Sequence, residues 1–374
     1  MKLYAIVILM FALVACEKEG PKFAGNSTFS LDKFEQNIKN TYTSQVTGFS
    51  YAISQYDAVV RYGAAGNARL AVDGLKAYTP ETRQDIYSVT KFVTAIGVCK
   101  VLAAKGKTLQ EKVVNYLPAN WTVHASYNDL TFEQLLSHKS GFSMEERSFD
   151  SLKKMMTIPQ TANTYNYNNA NYALCRILLP YMYFGKNNYT FSELQGITET
   201  SVATDFRIII RELVLLPAGL QFWNQVDFKD WNHEGLINYQ YTRYYMWGNT
   251  ALPSGANTDD FLISGSRGLT LSSYEVAQIL TAFEKKLLVN ETWMNDMKTK
   301  LCGFDGGANG EHGTYYWKNG GWENKNGTGA ETIIMIFPNG VRVSVNSNSN
   351  RFKDDSFVSK STNMVKAFDD AWGE

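Results

Sequence analysis

The sequence lacks an excess of either charge, since 36 Lys and Arg residues stand against 36 Asp and Glu residues in a chain of 374. A nucleic-acid-binding protein needs a basic face to displace counterions from phosphates, so this balance argues against that class. The 8 prolines and 28 glycines exclude collagen-like and low-complexity chains. With 44% hydrophobic residues the chain has enough apolar material for a folded core, and the 14% aromatic content is its one excess.

Histidine and cysteine are also scarce, with four of each, and their spacing matches no metal-binding pattern. The sequence contains no H-E-x-x-H, no G-x-S-x-G nucleophile elbow, no G-x-G-x-x-G and no P-loop. These absences weigh against a metal centre, an α/β-hydrolase site and a nucleotide cofactor. We therefore expect no metal, no cofactor and no nucleic-acid partner.

Residues 1–15 have the pattern of a secretory signal, in which Lys2 precedes an apolar run too short to span a bilayer. The ending Leu13-Val14-Ala15-Cys16 resembles a bacterial lipobox, and this resemblance implies that Cys16 is lipidated. It also implies an anchor in the bilayer of the bacterial cell envelope, at the outer membrane and facing the periplasm or the surface. An ordinary signal peptide with a chance cysteine is the alternative. Residues 16–28 would form a tether, and no later segment is expected to reach transmembrane length.

Three cysteines remain beyond the lipobox, which is an odd number. Cys99, Cys175 and Cys302 stand in apolar or mixed surroundings, and no partner base is indicated near any of them. We therefore expect buried free thiols rather than disulfides or a catalytic cysteine.

Hydrophobic periodicity predicts strands at both ends of the chain and helices between them. The predicted strands are 48–55, 58–64, 314–317, 332–337 and 341–346, the last two joined by a hairpin at Pro338-Asn339-Gly340. The predicted helices are 87–104, 131–137, 171–181, 191–195, 204–215, 273–286 and 359–373. We expect an α/β (α+β) fold in which an antiparallel sheet is flanked by helices and carries an inserted, mostly helical lobe. The domain would span 29–374, with the sheet lobe at about 29–87 and 255–374 and the helical lobe at about 88–254.

The pattern S-x-x-K occurs three times, at Ser30–Lys33, Ser88–Lys91 and Ser151–Lys154. Only Ser88 stands at the head of a strongly apolar predicted helix, where the spacing puts Ser88 and Lys91 on one face. The helix N-terminus offers free N–H groups to an oxyanion, and a lysine in an apolar setting can accept a proton from serine. A helix cap at Ser88 with a solvated Lys91 explains the pattern equally well.

Two further motifs follow in the chain. Tyr167-Asn168-Asn169 is a Y-x-N, in which the tyrosine hydroxyl can act as a general base and the second amide can orient a lysine; an Asn-rich loop is the alternative. Lys318-Asn319-Gly320 stands at the end of the strand predicted at 314–317 and precedes Gly321. A lysine there would attract an anionic group, and glycines let the backbone approach a substrate closely. A solvated turn lysine is the simpler interpretation of Lys318 alone.

Taken in order, these three motifs resemble the serine β-lactamase/penicillin-binding-protein superfamily. The Y-x-N points to its class C-like branch, which also holds D-alanyl-D-alanine carboxypeptidases and esterases. Two further segments resemble motifs of that superfamily. The turn L-L-x-H-x-S-G followed by a hydrophobic residue resembles Leu135-Leu136-Ser137-His138-Lys139-Ser140-Gly141-Phe142, and the G-G-L-x-S-T segment before a helix resembles Ser266-Arg267-Gly268-Leu269-Thr270-Leu271-Ser272. The resemblance extends from about residue 45 to about residue 350.

The resemblance implies a role for each matching residue. Ser88 would be the acylated nucleophile and Lys91 would help to deprotonate it. Tyr167 would pass the proton to the leaving group, and Asn169 would position Lys91 and the substrate amide. Lys318 would stabilise Tyr167 and recognise a carboxylate, with the substrate further bound along Asn319, Gly320 and Gly321. The backbone N–H groups of Ser88 and Gly321 would form the oxyanion hole.

The third motif departs from the usual Lys-Thr-Gly or His-x-Gly, because its middle residue is Asn319. An amide can donate to a carboxylate, but the departure weakens the expectation of a β-lactam or D-Ala substrate. The loop from Trp322 to Glu331 is also expected to be longer than is typical.

Aromatic residues concentrate between positions 222 and 247. They would either line a substrate wall or pack a long excursion against the helical lobe, and the packing interpretation is favoured. The members are Phe222, Trp223, Phe228, Trp231, Tyr239, Tyr241, Tyr244, Tyr245 and Trp247.

The function expected from these observations is that of a serine hydrolase acting through an acyl-enzyme on an amide or ester, with a small molecule, peptide or ester as substrate. The alternative is a penicillin-binding or degenerate, non-catalytic binding protein of the cell envelope.

Overall fold

The computed structural model describes residues 28–185, 199–228, 241–248 and 261–373. The predicted signal peptide, the lipidation site Cys16, nearly all of the tether and the helix predicted at 191–195 therefore lie outside the described residues. The strands in chain order are β1 Gly48–Gln55, β2 Ala58–Arg69, β3 Lys76–Ala77, β4 Gln84–Asp85, β5 Thr270–Leu271, β6 Gly306–Gly310, β7 Gly313–Glu323, β8 Gly329–Ile336 and β9 Arg342–Ser347.

Seven of these strands form one antiparallel sheet with the order β3-β2-β1-β9-β8-β7-β6, and β4 pairs separately with β5. The first and last strands of the chain meet at the centre, where Tyr51 of β1 lies opposite Val345 of β9. Both β8 and β9 are buried along their whole length, including the polar residues that they contain. The predicted antiparallel sheet from both chain ends is thus present, and Gly340 turns its hairpin with a φ of 77°.

The described α-helices fall on both sides of this sheet. They are α1 Leu31–Tyr42, α2 Thr90–Ala104, α3 Phe132–Leu136, α4 Phe149–Met155, α5 Ala170–Phe184, α6 Glu199–Ile210, α7 Ser273–Glu284, α8 Glu291–Thr299 and α9 Ser361–Asp369.

Two apolar cores hold the layers together. The core on one face of the sheet joins α1 and α9 to the strands, with Phe34, Ile38, Phe337 and Phe368 buried in it. The larger core on the other face surrounds α2, α5 and α7. Apolar burial of this extent is the main favourable term in folding, at about 25 cal/mol per Å² removed from water.

Helix α2 is the centre of the larger core, and almost every one of its residues is buried. Together with the preceding short helical turn it forms an 18-residue stretch, Tyr87–Ala104, with a mean hydropathy of 1.3 and 78% of it buried in the fold. We expected no later segment to reach transmembrane length, but by length and composition alone this stretch is long and apolar enough to cross a membrane. Its burial identifies it as a core helix.

Helix caps explain where several helices begin. Ser30 accepts a hydrogen bond from the N–H of Lys33 at 3.2 Å and so caps α1, which gives the first S-x-x-K a structural role. Thr131 with Gln134 and Ser272 with Glu275 form capping boxes at α3 and α7.

Candidate active site

Ser88 lies where the chain leaves β4 and enters α2, in the short helical turn Tyr87–Val89. The preceding Tyr87 has a φ of 45°, a left-handed conformation that is unusual for a tyrosine. The Asp85 carboxylate stabilises this bend because its Oδ1 accepts the N–H of Tyr87 at 2.6 Å and that of Gly268 at 3.2 Å. The bend leaves Ser88 partly exposed just before a helix of which most residues are buried.

Lys91 lies one turn later and is fully buried. Its Nζ is 2.9 Å from Ser88 Oγ, 2.7 Å from Asn169 Oδ1 and 2.7 Å from the carbonyl oxygen of Ser266. Burial, reinforced by the nearby Lys318 ammonium, lowers the pKa of Lys91 well below its ordinary value. Lys91 is therefore not the solvated charge of the alternative interpretation.

Tyr167 and Asn169 come from the loop that leads into α5. Tyr167 Oη donates to Ser88 Oγ at 2.7 Å, and the centroid of its ring lies 5.1 Å from the Nζ atoms of both Lys91 and Lys318. The ring also stacks on that of His138, with centroids 4.4 Å apart. Burial, with the charges of Lys91 and Lys318, lowers the pKa of His138 to about 3, so this imidazole is neutral and supports Tyr167 by packing.

Strand β7 closes the other side of the site. Lys318, Asn319 and Gly320 lie in its interior, because β7 runs on to Glu323 instead of ending at Trp317. The prediction of a long loop after Trp322 is also wrong, since β8 begins at Gly329 and its Glu331 pairs with Gly321. The segment Lys318–Gly321 has no side chains that favour strands, and its pairing with β8 makes it part of β7.

Gly320 brings β7 against the nucleophile. A Cβ at this position would lie 2.4 Å from the Ile86 carbonyl oxygen and 2.8 Å from the backbone nitrogens of Ser88 and Val89. Only a residue without a side chain allows this approach. It places the two predicted oxyanion donors, the N–H groups of Ser88 and Gly321, on adjoining segments.

Lys318 is buried and forms an ion pair with the Asp305 carboxylate. The second oxygen of Asp305 accepts the backbone N–H of Asn319 at 2.8 Å. Burial alone would lower the pKa of Lys318, but the charge of Asp305 outweighs it and raises that pKa above its ordinary value. Lys318 therefore stays protonated, and its ammonium group is already paired with the carboxylate of Asp305.

A cavity of about 400 Å³ opens in front of these residues. All of the predicted site residues line it, except the buried Lys91 and Cys16, which lies outside the described residues. Side chains that sequence reasoning missed complete the lining. The lining residues are Ser88, Tyr167, Asn169, Asp305, Lys318, Asn319, Gly320, Gly321, Trp322, Glu323, Glu331 and Phe357.

The remaining predictions have clear outcomes among the described residues. Cys99, Cys175 and Cys302 are free and buried, as predicted. In the aromatic cluster, Trp231 and Tyr239 lie outside the described residues. Phe228, Tyr241, Tyr244 and Tyr245 are buried and do not line the cavity. Phe228 packs against Phe206 of α6, as the packing interpretation predicts. The tyrosines instead contact the sheet lobe, where the hydroxyl groups of Tyr244 and Tyr245 accept the backbone N–H groups of Asp85 and Leu70.

Solved structures with a similar fold come from several sources. The octameric penicillin-binding protein homologue from Pyrococcus abyssi has a TM-score of 0.63 and 18% identity, over 86% of this chain and 74% of that one. FmtA from Staphylococcus aureus has a TM-score of 0.65 and 16% identity, over 94% and 92%. The penicillin binding protein from Bacillus halodurans has a TM-score of 0.58 and 15% identity, over 89% and 98%. At these identities the likeness is one of fold.

No curated protein matches the sequence. The family model described as Beta-lactamase matches residues 32–365, a range that contains the nucleophile turn, the tyrosine loop and strand β7. The chain therefore belongs to the beta-lactamase family.

Proposed function

We propose that the protein is a serine hydrolase that forms an acyl-enzyme at Ser88 and transfers the acyl group of an amide or ester to water. The observation that carries this proposal is the set of partners around Lys91. A neutral amine has two N–H groups and one lone pair, and the oxygens of Asn169 and Ser266 can only accept. They take the two N–H groups, so the lone pair is directed at the hydroxyl of Ser88.

Acylation then follows from the positions of three groups. Ser88 Oγ attacks the substrate carbonyl while its proton moves to Lys91 Nζ, which becomes an ammonium. The negative charge that develops on the carbonyl oxygen is stabilised by N–H groups at the start of α2 and on β7. Preorganised donors of this kind account for about 10²–10³ in rate.

Release of the leaving group requires a proton, and Tyr167 is placed to supply it because its hydroxyl is 2.7 Å from Ser88 Oγ. Tyr167 recovers a proton from the Lys91 ammonium, which returns that lysine to its neutral state. Negative charge on Tyr167 during this relay lies between Lys91 and Lys318. In deacylation, water gives its proton to the same relay and Ser88 regains its hydrogen.

Intact-mass spectrometry tests the nucleophile directly. The purified domain is incubated with a fluorophosphonate, p-nitrophenyl acetate and penicillin, alongside Ser88→Ala. The matched control is Ser151→Ala, because Ser151 belongs to another S-x-x-K but lies in α4. We expect one fluorophosphonate adduct on the native protein and on Ser151→Ala, and none on Ser88→Ala.

The reactions with p-nitrophenyl acetate and penicillin then distinguish an esterase from a penicillin-binding protein. Rapid ester turnover without a penicillin adduct indicates an esterase, whereas a stable penicillin adduct indicates a penicillin-binding protein that acylates without turnover. An unreactive native protein, or an adduct that persists in Ser88→Ala, would overturn the proposal.

A further inference from the structure

The cavity continues past Ser88 around the edge of β7. A Cβ on Gly320 would touch the Ser88 backbone nitrogen, whereas one on Gly321 would lie 2.1 Å from Glu331 Oε1. Since neighbouring residues of a strand point to opposite faces, Ser88 and Glu331 lie on opposite faces of β7. Both line the same cavity. Among the described strands, β6 pairs with β7 only as far as Trp317, so beyond Trp317 no strand covers this edge of β7.

The ionisable groups along this cavity include one carboxyl group that has no ion-pair partner among the described residues. The cavity is lined by the carboxyl groups of Asp305, Glu323 and Glu331 and by the ammonium group of Lys318. Asp305 neutralises Lys318, and Arg351 pairs with Glu323 at 3.0 Å. Glu331 is only 7% exposed, yet no lysine or arginine in the described part of the chain forms an ion pair with it. A buried carboxyl group without a cation is costly, and a bound cation offsets that cost.

We propose that the acyl part of the substrate carries an ammonium group, which binds to Glu331 on the far side of Gly321. This inference rests on the proposed hydrolase function and names the substrate class of that site. Burial raises the pKa of Glu331 to about 8, although a hydrogen bond from Ser359 and the nearby charge of Arg351 act to lower it.

The ammonium group belongs to the acyl part for a geometric reason. The leaving group receives its proton from Tyr167, whose ring packs on His138 in the helical part of the molecule. The acyl carbonyl instead points at β7, and Gly321 separates it from Glu331 by the width of one strand. The absence of a side chain at Gly321 lets the Glu331 carboxyl group lie directly against the strand backbone.

Three p-nitrophenyl esters of similar length test the inference. The ε-aminocaproate ends in an ammonium group, the heptanoate ends in a methyl group of the same size, and the hydrogen adipate ends in a carboxylate. Assays one unit above pH 8, with Ser88→Ala as the blank, keep Glu331 ionised and leave the amine charged, because alkylamines titrate near pH 10.4. We expect kcat/KM to be about tenfold higher for the ε-aminocaproate than for the heptanoate, and lowest for the adipate.

The variant Glu331→Gln keeps the size of the side chain but removes its charge. We expect it to lose the preference for the ε-aminocaproate while it retains heptanoate turnover and fluorophosphonate labelling. Glu311→Gln, an exposed position in the turn before β7, is the matched control and should keep the preference.

Each outcome has a definite meaning. Equal rates for the three esters in a native protein that labels at Ser88 would overturn this inference and leave the hydrolase proposal standing. An equal loss of all three activities in Glu331→Gln would also overturn it, because the residue would then support the fold only. Failure of the native protein to label at Ser88 would overturn both proposals.

Discussion

At the scale of single residues, the chemistry depends on keeping Lys91 unprotonated. Because burial and Lys318 lower its pKa, Lys91 loses its proton at a pH well below that of an ordinary lysine. We expect the rate of Ser88 labelling by a fluorophosphonate to fall as the pH drops through the pKa of Lys91, since protonation removes the base. The measurement is the labelling rate as a function of pH.

Lys91→Arg keeps a positive charge that cannot be lost near neutral pH. We expect this variant to label about 10²–10⁴ times more slowly than the native protein. Lys100→Arg is the control on the same helix, because Lys100 binds the Leu213 carbonyl oxygen away from the site. An unchanged pH profile in Lys91→Arg would show that another group is the base.

Asp305 sets the charge available to a substrate. Asp305→Asn keeps an oxygen for the Asn319 N–H but removes the carboxylate that pairs with Lys318. We expect the ratio of kcat/KM for the hydrogen adipate to that for the heptanoate to rise about tenfold, because Lys318 becomes free to bind a carboxylate. If both esters slow by the same factor, Asp305 only positions Lys318.

Sequence patterns could have indicated part of this arrangement. The hairpin of β6 and β7 pairs Gly310 with Gly313 and Gly306 with Trp317, so its register carries Asp305 to the level of Lys318. The only signal is a pair of glycines around the turn, which is weak because several other glycines lie nearby. Glu331 has no signal at all, since its neighbours in sequence are the apolar residues of a buried strand.

At the scale of elements, the close contact between β7 and the nucleophile turn constrains the site. Gly320→Ala would force backbone atoms of Ile86, Ser88 and Val89 apart, and backbone cannot yield as a side chain can. We expect at least about a hundredfold slower fluorophosphonate labelling, because displacement of reacting groups by about 1 Å costs that much.

Gly310→Ala is the matched control for this contact. Its Cβ would lie 3.1 and 3.3 Å from two ring carbons of Tyr315, and that ring can shift, while the nearest backbone atom, the Gly313 carbonyl oxygen, is 3.6 Å away. We expect Gly310→Ala to label at nearly the native rate. Similar rates for the two variants would mean that β7 does not hold the nucleophile turn in place.

Element types were more predictable than their limits. Strand β1 has the bounds that its pattern predicts, because polar turn residues flank it on the β2 side. Helix α1 was not predicted although Phe34, Ile38 and Tyr42 recur at helical spacing, because the residues between them are polar. Strand β6 was missed because its sequence GGANG has no strand-forming side chains, and only its pairing with β7 makes it a strand.

At the scale of the whole molecule, a buried ion pair joins the segment before Ser88 to α7. Arg83 and Glu275 are both buried, and Arg83 Nε donates to Glu275 Oε2 at 2.9 Å. We expect Arg83→Met to lower the free energy of unfolding by about 3–5 kcal/mol, because it leaves a buried carboxylate without its partner. Urea denaturation of the purified domain measures the change.

The double variant Arg83→Met with Glu275→Met separates this effect from simple loss of packing. Removing both charges spares the cost of the orphaned carboxylate, so we expect the double variant to be more stable than Arg83→Met alone. Additive losses in the two single variants and the double variant would show that the two residues act independently.

The expectation that the molecule is attached to a membrane depends on residues before the folded domain. We propose that Cys16 carries the lipid, on the grounds of the lipobox resemblance alone. Expression in a bacterium with labelled palmitate should give a labelled protein, and Cys16→Ser should give none. Equal labelling of both, or of neither, would contradict the proposal.

The three buried cysteines have a practical consequence for following the motions of this molecule. Cys99 lies on α2, the helix that Ser88 precedes, Cys175 lies on α5, and Cys302 follows α8. All three are fully shielded, so a thiol reagent can reach them only when the surrounding core opens. The rate of their modification in native buffer is therefore a built-in reporter of opening, and a substrate analogue that tightens α2 should slow it.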